Sequence, residues 1–286
     1  MSSRGFGIYV HIPFCVRKCP YCDFVTAPGN REERVSYLDA LQSEIRASEW
    51  RGYQARTIYF GGGTPSELGP PDLQRVIETV QDVFGVPSGA ECSIECNPGT
   101  LSKSKLARMR SMGFNRLSLG VQSFSDRFLR SLGRIHTSAE ASEAYQLIRS
   151  ARFDNVNLDL IFGLPGQTLE DWHKDLREAL DLRPEHLSLY GLTIEPETEF
   201  GRLKQRGQFE EVDEELAASM YETAVDLCAG AGYVQYEISN FALPGKECRH
   251  NLIYWHNEDY LGFGVSAASY VGGVRWSNVK DRAGYV

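Results

Sequence analysis

The chain of 286 residues contains no run of 18 apolar residues, no internal repeat and no low-complexity segment. The first absence excludes a transmembrane helix, and the others exclude repeat arrays and compositionally biased tracts. Positive charge is the minority sign, with thirty Lys and Arg against thirty-eight Asp and Glu for a net charge of −8. Such a chain as a whole is not an electrostatic nucleic-acid binder, though a local basic patch stays open. Residues 1–14 lack a signal-peptide core, since Ile8, Tyr9 and Val10 are followed at once by His11. A cytoplasmic protein is therefore expected. Cysteine is sparse and odd in number, seven in all, which argues against a disulfide framework.

What is present is an ordinary globular composition, 42% hydrophobic and 24% charged. The length suffices for one or two domains and a sizeable core. Short apolar runs alternate with amphipathic stretches. Strands are expected at 7–12, 57–60, 91–96, 116–121, 155–162, 186–192 and 233–238. Helices are expected at 33–50 and 71–84, around Leu106, Tyr145, Leu176 and Ala224, and briefly near Phe128. The 71–84 helix shows the pattern best, with Leu73, Val76, Ile77, Val80 and Phe84 on one stripe and Gly85 after it.

Alternation of this kind means parallel strands with helical crossovers, which fit an open sheet or a barrel. Parallel strands buried on both faces should be nearly all apolar. Yet Ser93 and Glu95, Ser118 and Gln122, and Asn157 and Asp159 recur on one face near the strands' C-terminal ends. Polar groups converging there build the active site of a barrel. The expected fold is α/β, a partial, open βα barrel of about six strands. Residues 1–240 would form it, and 241–286 would begin a truncated C-terminal domain.

Three of the cysteines, Cys15, Cys19 and Cys22, stand as C-x3-C-x2-C where the first strand ends. Three thiolates from one loop can hold three corners of an iron–sulfur cubane and leave the fourth iron open. The alternative is a zinc site completed by His11, Cys96 or Cys248. Cys92, Cys96 and Cys228 read as small buried hydrophobes.

With Tyr21 before the third cysteine and GGGTP at 61–65 after the second strand, the chain resembles the radical S-adenosylmethionine (SAM) superfamily. A closer resemblance runs from Gly7 to about Ser277. It is to the oxygen-independent coproporphyrinogen III oxidase family and its relatives, the HemW heme chaperones. YVHIPFC (9–15), SIECNP (93–98), GFNRLS (113–118), GVQSF (120–124) and NLDLIFGLP (157–165) carry it. The resemblance implies a [4Fe–4S] cluster on Cys15, Cys19 and Cys22. It also implies S-adenosylmethionine contacts at Tyr9, Tyr21, Gly62, Gly63, Thr64, Glu95, Gln122, Arg134 and Asp159. Arg134 is chemically able to pair with Asp159 or with a cofactor carboxylate. An electron donor for the cluster is a further implied partner.

Two relatives with different activities fit this pattern. The oxidases carry a further cysteine two positions after the third, where this chain has Phe24, and a longer N-terminal segment than the fourteen residues before Cys15. CRHNLIYW at 248–255 matches the HNxxYW motif of the HemW group. His250 is then a candidate heme ligand with Tyr254 and Trp255 packing on the macrocycle. The plainer reading makes the two aromatics a plug for the barrel and His250 a satisfied polar residue. The resemblance thus implies a carrier that passes heme to an apo-protein acceptor. The alternative is an oxidase that decarboxylates coproporphyrinogen III in porphyrin biosynthesis, and a third option is another radical SAM reaction.

Overall fold

The computed structural model describes residues 5–286. The signal-peptide reading rests in part on residues 1–4, which lie outside the described residues. Strands β1 (Phe6–Ile12), β2 (Ala55–Gly62), β3 (Glu91–Cys96), β4 (Arg116–Gln122), β5 (Val156–Phe162) and β6 (His186–Gly191) are consecutive parallel neighbours. Short strands extend both sides of this row. Antiparallel β7 (Val234–Gln235) and β8 (Asn240–Ala242) follow β6, while β9 (Tyr260–Phe263) runs parallel to β1 and leads to β10 (Ala268–Val271) and β11 (Val274–Ser277). The sheet ends at β11 and β7 and does not close. An open α/β sheet is the expected architecture, and β9 extends the expected row of six parallel strands to seven.

Helices α1 (Arg31–Arg46), α2 (Pro70–Val83), α3 (Lys103–Ser111), α4 (Asp126–Ser131), α5 (Ser138–Ser150) and α6 (Leu169–Asp181) fill the crossovers of the central row. Beyond β6 come α7 (Glu199–Gln205), α8 (Glu214–Gly230), α9 (Arg249–Trp255) and α10 (Arg282–Tyr285). The first begins two residues before the expected start because Asn30 caps it. The Glu33 N–H donates to Asn30 Oδ1 at 2.9 Å, and the Glu33 carboxylate accepts from the Asn30 N–H at 2.9 Å. It ends at Arg46, four residues short of the expected end. The expected strand 233–238 shrinks to the two residues of β7, which pairs only with β8 at the rim.

Side chains facing the inside of the curved sheet form a polar row. The rings of Tyr9 and Tyr59 stack 6.2 Å apart, and the Tyr59 hydroxyl donates to Glu95 Oε1 at 3.0 Å. Ser118 donates to Asp159 at 2.9 Å, and Asn157 Nδ2 to Asp159 at 2.8 Å. His186 Nδ1 lies 2.6 Å from Asn157 Oδ1. These groups are hydrogen-bonded, which makes a polar interior tolerable, whereas the Ser93 hydroxyl on the same face is buried without a partner.

The N-terminal ends of the strands are blocked by α9. The Arg249 and His250 N–H groups each donate at 3.0 Å to the carboxylate of Glu91, the first residue of β3. The His250 ring stacks on Tyr59 at 5.1 Å. Its Nδ1 lies 2.8 Å from Thr57 Oγ1 and its Nε2 2.7 Å from the Tyr254 hydroxyl. Tyr254 thus braces the plug, while Trp255 points outward and is exposed.

Burial pushes the His250 pKa down to about 3. In an unfolded chain histidine titrates near ~6.5. Between those values the unfolded chain binds a proton that the folded chain refuses, so stability falls as pH falls through that window. One such site contributes a slope of up to about 1.4 kcal/mol per pH unit. His250→Asn should remove that share of the slope in urea unfolding measured between about pH 6 and pH 4. Equal slopes in both proteins would mean that the folded protein protonates the ring.

Candidate cofactor site

The cysteine loop leaves β1 at Ile12 and is tied down on both sides. The Ala27 N–H donates to Pro13 O at 3.0 Å, and the Thr64 N–H donates to Phe14 O at 2.8 Å. Phe14 is buried edge-on against Tyr37 at 5.4 Å. Glycine is required where β2 ends beneath this loop. Gly62 has φ +107°, and a Cβ there would lie 2.4 Å from the His11 ring. A Cβ on Gly63 would meet Thr26 Oγ1 at 2.6 Å and Phe14 O at 2.8 Å. The glycine run therefore has a packing role of its own, whatever ligand its carbonyls approach.

Cys15, Cys19 and Cys22 are half-buried free thiols on the wall of one cavity of about 430 Å³. Thr26 Oγ1 lies 3.0 Å and Thr64 Oγ1 3.2 Å from Cys15 Sγ. Burial pushes the Cys22 thiol up to about 11. Only a cation bound there would draw the thiolate out near neutral pH.

Tyr21, Gly62, Gly63, Thr64, Glu95, Gln122, Arg134 and Asp159 line the same cavity. They come from the cysteine loop, the ends of β2 to β5 and the turn after α4. Gln122 has φ +68°, uncommon for a side chain of this kind, at a register break between β4 and β5. Glu95 accepts from the Tyr59 hydroxyl and, at 3.1 Å, from the Gly62 N–H. Burial first, and the neighbouring Asp159 second, raise its pKa to about 7. Burial also raises that of Asp159, against hydrogen bonds from Ser118 and Asn157. Two carboxyls that resist carrying charge together suit a cationic or hydroxyl-rich ligand.

Two of the expected contacts lie elsewhere. Tyr9 turns its hydroxyl to His11 Nδ1 at 3.2 Å, below the cavity. His250 is 1% exposed at the opposite end of the strands with both ring nitrogens engaged, so the plainer reading describes it here. Arg134 does line the cavity, and of the two pairings open to it the one with Asp159 is not made. It donates to Asn97 Oδ1 at 2.5 Å, to Gly120 O at 3.0 Å and towards Cys19 Sγ at 3.7 Å. The turn that carries Arg134 thus reaches the cysteine loop and the ends of β3 and β4. Its Nε is buried without a partner.

The zinc alternative finds no support among its fourth ligands. His11 Nε2 is held by Val25 O at 2.9 Å, and Cys248 is buried with its Sγ 3.5 Å from Glu91. Cys96 Sγ turns back towards Ile94 O at 3.8 Å. Among the described residues no three His, Cys, Asp or Glu side chains converge on one ion. Thiols that bind three separate irons of a cubane need not meet at a point.

Sequence reasoning gave no role to Thr26, Asn97 or Tyr59, nor to Tyr190, which also lines the cavity. Only Asn97 had a visible signal, an Asn-Pro pair closing a strand that already carried Glu95. Thr26 reaches Cys15 through the fold of the loop, which no spacing reveals.

The sheet, the cysteine loop and the cavity between them define a radical SAM protein, and the profile of the radical SAM superfamily matches residues 9–179. HemW heme chaperones of Synechocystis and Bacillus subtilis are 40% and 41% identical to the chain, each over 97% of it and over 69% and 74% of their own lengths. The chain belongs to the HemW family within that superfamily. The structure of Escherichia coli coproporphyrinogen III oxidase superposes with a TM-score of 0.85 at 28% identity, covering 97% of this chain and 67% of that one. Membership brings a [4Fe–4S] cluster and S-adenosylmethionine as cofactors. The residues present fit both, with three thiols on one wall and an unpartnered guanidinium nitrogen and two desolvated carboxyls beside them.

Protein reconstituted without air should hold about four irons and four sulfides. Replacing Cys15, Cys19 or Cys22 by alanine should abolish both, whereas Cys92→Ala and Cys228→Ala should change neither. Stoichiometric zinc without labile sulfide in anaerobic preparations would refute this assignment.

Proposed function

We propose that the protein is a heme chaperone, binding heme beside a cluster and S-adenosylmethionine and passing it to an apo-protein acceptor. Cys15, Cys19 and Cys22 hold the cluster. Glu95 and Asp159 take the ribose hydroxyls or the amino group of S-adenosylmethionine, and Arg134 takes its carboxylate through the unpartnered Nε. Gly62, Gly63 and Thr64 bound the same ligand, and Gln122 and Tyr21 close the wall. Bound together, these cofactors supply one-electron chemistry at the open iron. An electron donor and a cytoplasmic setting complete the reading. Among the described residues no helix is long and apolar enough to cross a membrane.

The observation that carries the choice of heme carrier is Phe24. It occupies the place of the oxidases' extra cysteine and stands 66% exposed at the cavity mouth. Ile161 and Leu192 add apolar surface there, and Arg17 and Lys18 add positive charge beside the acidic Asp23 and Glu195. Heme is an apolar disc with two carboxylates, and such a rim suits it. His250 would reach heme iron only by giving up the Thr57 or the Tyr254 contact on the ligating nitrogen. The oxidase reading is favoured by the superposition on coproporphyrinogen III oxidase. It gives up a cysteine at position 24.

S-adenosylmethionine should perturb the electron paramagnetic resonance signal of the reduced cluster, and Asp159→Ala should weaken that effect at least tenfold in cofactor concentration. An unchanged signal at saturating cofactor would contradict the site. Titrated heme should give a Soret band that saturates near one equivalent. Reduced, cofactor-loaded protein should leave coproporphyrinogen III unchanged by product mass. Formation of protoporphyrinogen would replace the chaperone reading with the oxidase.

A further inference from the structure

A directed chain of hydrogen bonds crosses the wall of the cavity from Arg134 to Cys15. Its polarity is set at the first member. Arginine only donates, so the Asn97 oxygen must face Arg134, with Oδ1 at 2.5 Å from the guanidinium. The amide orientation then follows, and Asn97 Nδ2 donates to Thr64 Oγ1 at 2.8 Å. Thr64 has one proton to give. Its oxygen accepts from Asn97, and its hydroxyl hydrogen is left for Cys15 Sγ at 3.2 Å. A ligating cysteine sulfur carries no proton and can only accept. Every link therefore runs one way, from a permanent cation to a cluster sulfur.

Asn97 is built into place. Its N–H donates to Ser66 Oγ at 3.3 Å, and its carbonyl accepts from Thr100 Oγ1 at 2.7 Å. A Cβ on Gly120 would lie 2.8 Å from Asn97 Oδ1, so the neighbouring strand leaves room for the amide and little more. The thiols are served unequally. Cys15 has two hydroxyl neighbours, although Thr26 also faces Pro13 O at 3.2 Å and shares its single proton. The Thr64 donor is the one whose direction is dictated by another residue.

We propose that Asn97 is a positioning residue for the cluster's reduction potential, acting by aiming the Thr64 hydroxyl at the Cys15 sulfur. This rests on the reading that Cys15, Cys19 and Cys22 hold the cluster. Reduction adds one electron, supplied in a titration by dithionite, and places more negative charge on the sulfurs. A hydroxyl donor stabilises that form and raises the potential. Without it the cluster is harder to reduce.

The test is a dithionite titration of reconstituted protein, without S-adenosylmethionine, read by the electron paramagnetic resonance of the reduced cluster. Iron and sulfide content is measured first for each protein. Wild-type protein lacking a cluster would refute the ligand reading and not this one alone. Asn97→Leu and Thr64→Val should each lower the reduced-to-oxidised ratio about tenfold at fixed potential, about 59 mV for one electron. Thr64→Ser, which keeps the hydroxyl, should stay near wild type. In the Thr64→Val background, Asn97→Leu should add little, because its route to the sulfur is gone. If Asn97→Leu takes up no cluster, the isosteric Asn97→Asp replaces it. Its carboxylate accepts from both neighbours, so it turns the Thr64 proton away from Cys15. It should shift the potential more in the otherwise wild-type protein than in the Thr64→Val background. Full cluster content with no shift, or an equal shift with and without the Thr64 hydroxyl, would overturn the proposal.

Discussion

The close approach of the cysteine loop to the end of β2 is the constraint on which the cavity depends. At Gly62 the His11 ring takes the place a side chain would need, and at Gly63 two backbone segments meet at a distance that no side chain would allow. Because they meet, the Thr64 N–H can bond Phe14 O, and the Thr64 hydroxyl arrives beside Cys15. The same approach presents the Gly62 N–H to Glu95. One steric permission thereby positions a thiol, a hydroxyl and a carboxylate on three successive elements. Rigid strands below and a tethered loop above hold that arrangement more firmly than a free loop would.

The interior divides its polar groups by charge. At the C-terminal mouth, Glu95 and Asp159 face a cavity with burial working against their ionisation. At the other end the polar groups are closed upon one another, with Glu91 satisfied by the backbone of α9 and His250 held neutral between Thr57 and Tyr254. The mouth opens its carboxyls to a cavity, and the other end turns Glu91 and His250 inward on protein partners. That difference separates a place for ligands from a structural plug.

The central row was legible because each of its strands is six to eight residues long and carries its own helix with a readable stripe. The polar alternation on β3, β4 and β5 located the mouth from the residues alone. The segments beyond residue 240 were illegible for a physical reason. Strands of three or four residues such as β8 and β9 hold too few alternations to show a period, and their pairing is set by distant partners. Within the site, residues joined to a motif were found and residues that act across the fold were not. Thr26 and Asn97 belong to the second kind. Of the two pairings that charge suggested for Arg134, the one with Asp159 is not made for a related cause, since the turn after α4 delivers the guanidinium to Asn97.

The parallel contact between β9 and β1 also has a consequence in time. Gly7 pairs with Tyr260, so the outer edge of the first strand made is covered by one made about 250 residues later. At the usual pace of translation the wait is roughly 10–50 s. During it the ribosome carries a nascent chain whose cysteine loop and glycine turn are already complete, with one strand edge open beside them. Anything that must reach the loop during synthesis, or guard the edge from a neighbouring nascent chain, has that interval in which to act.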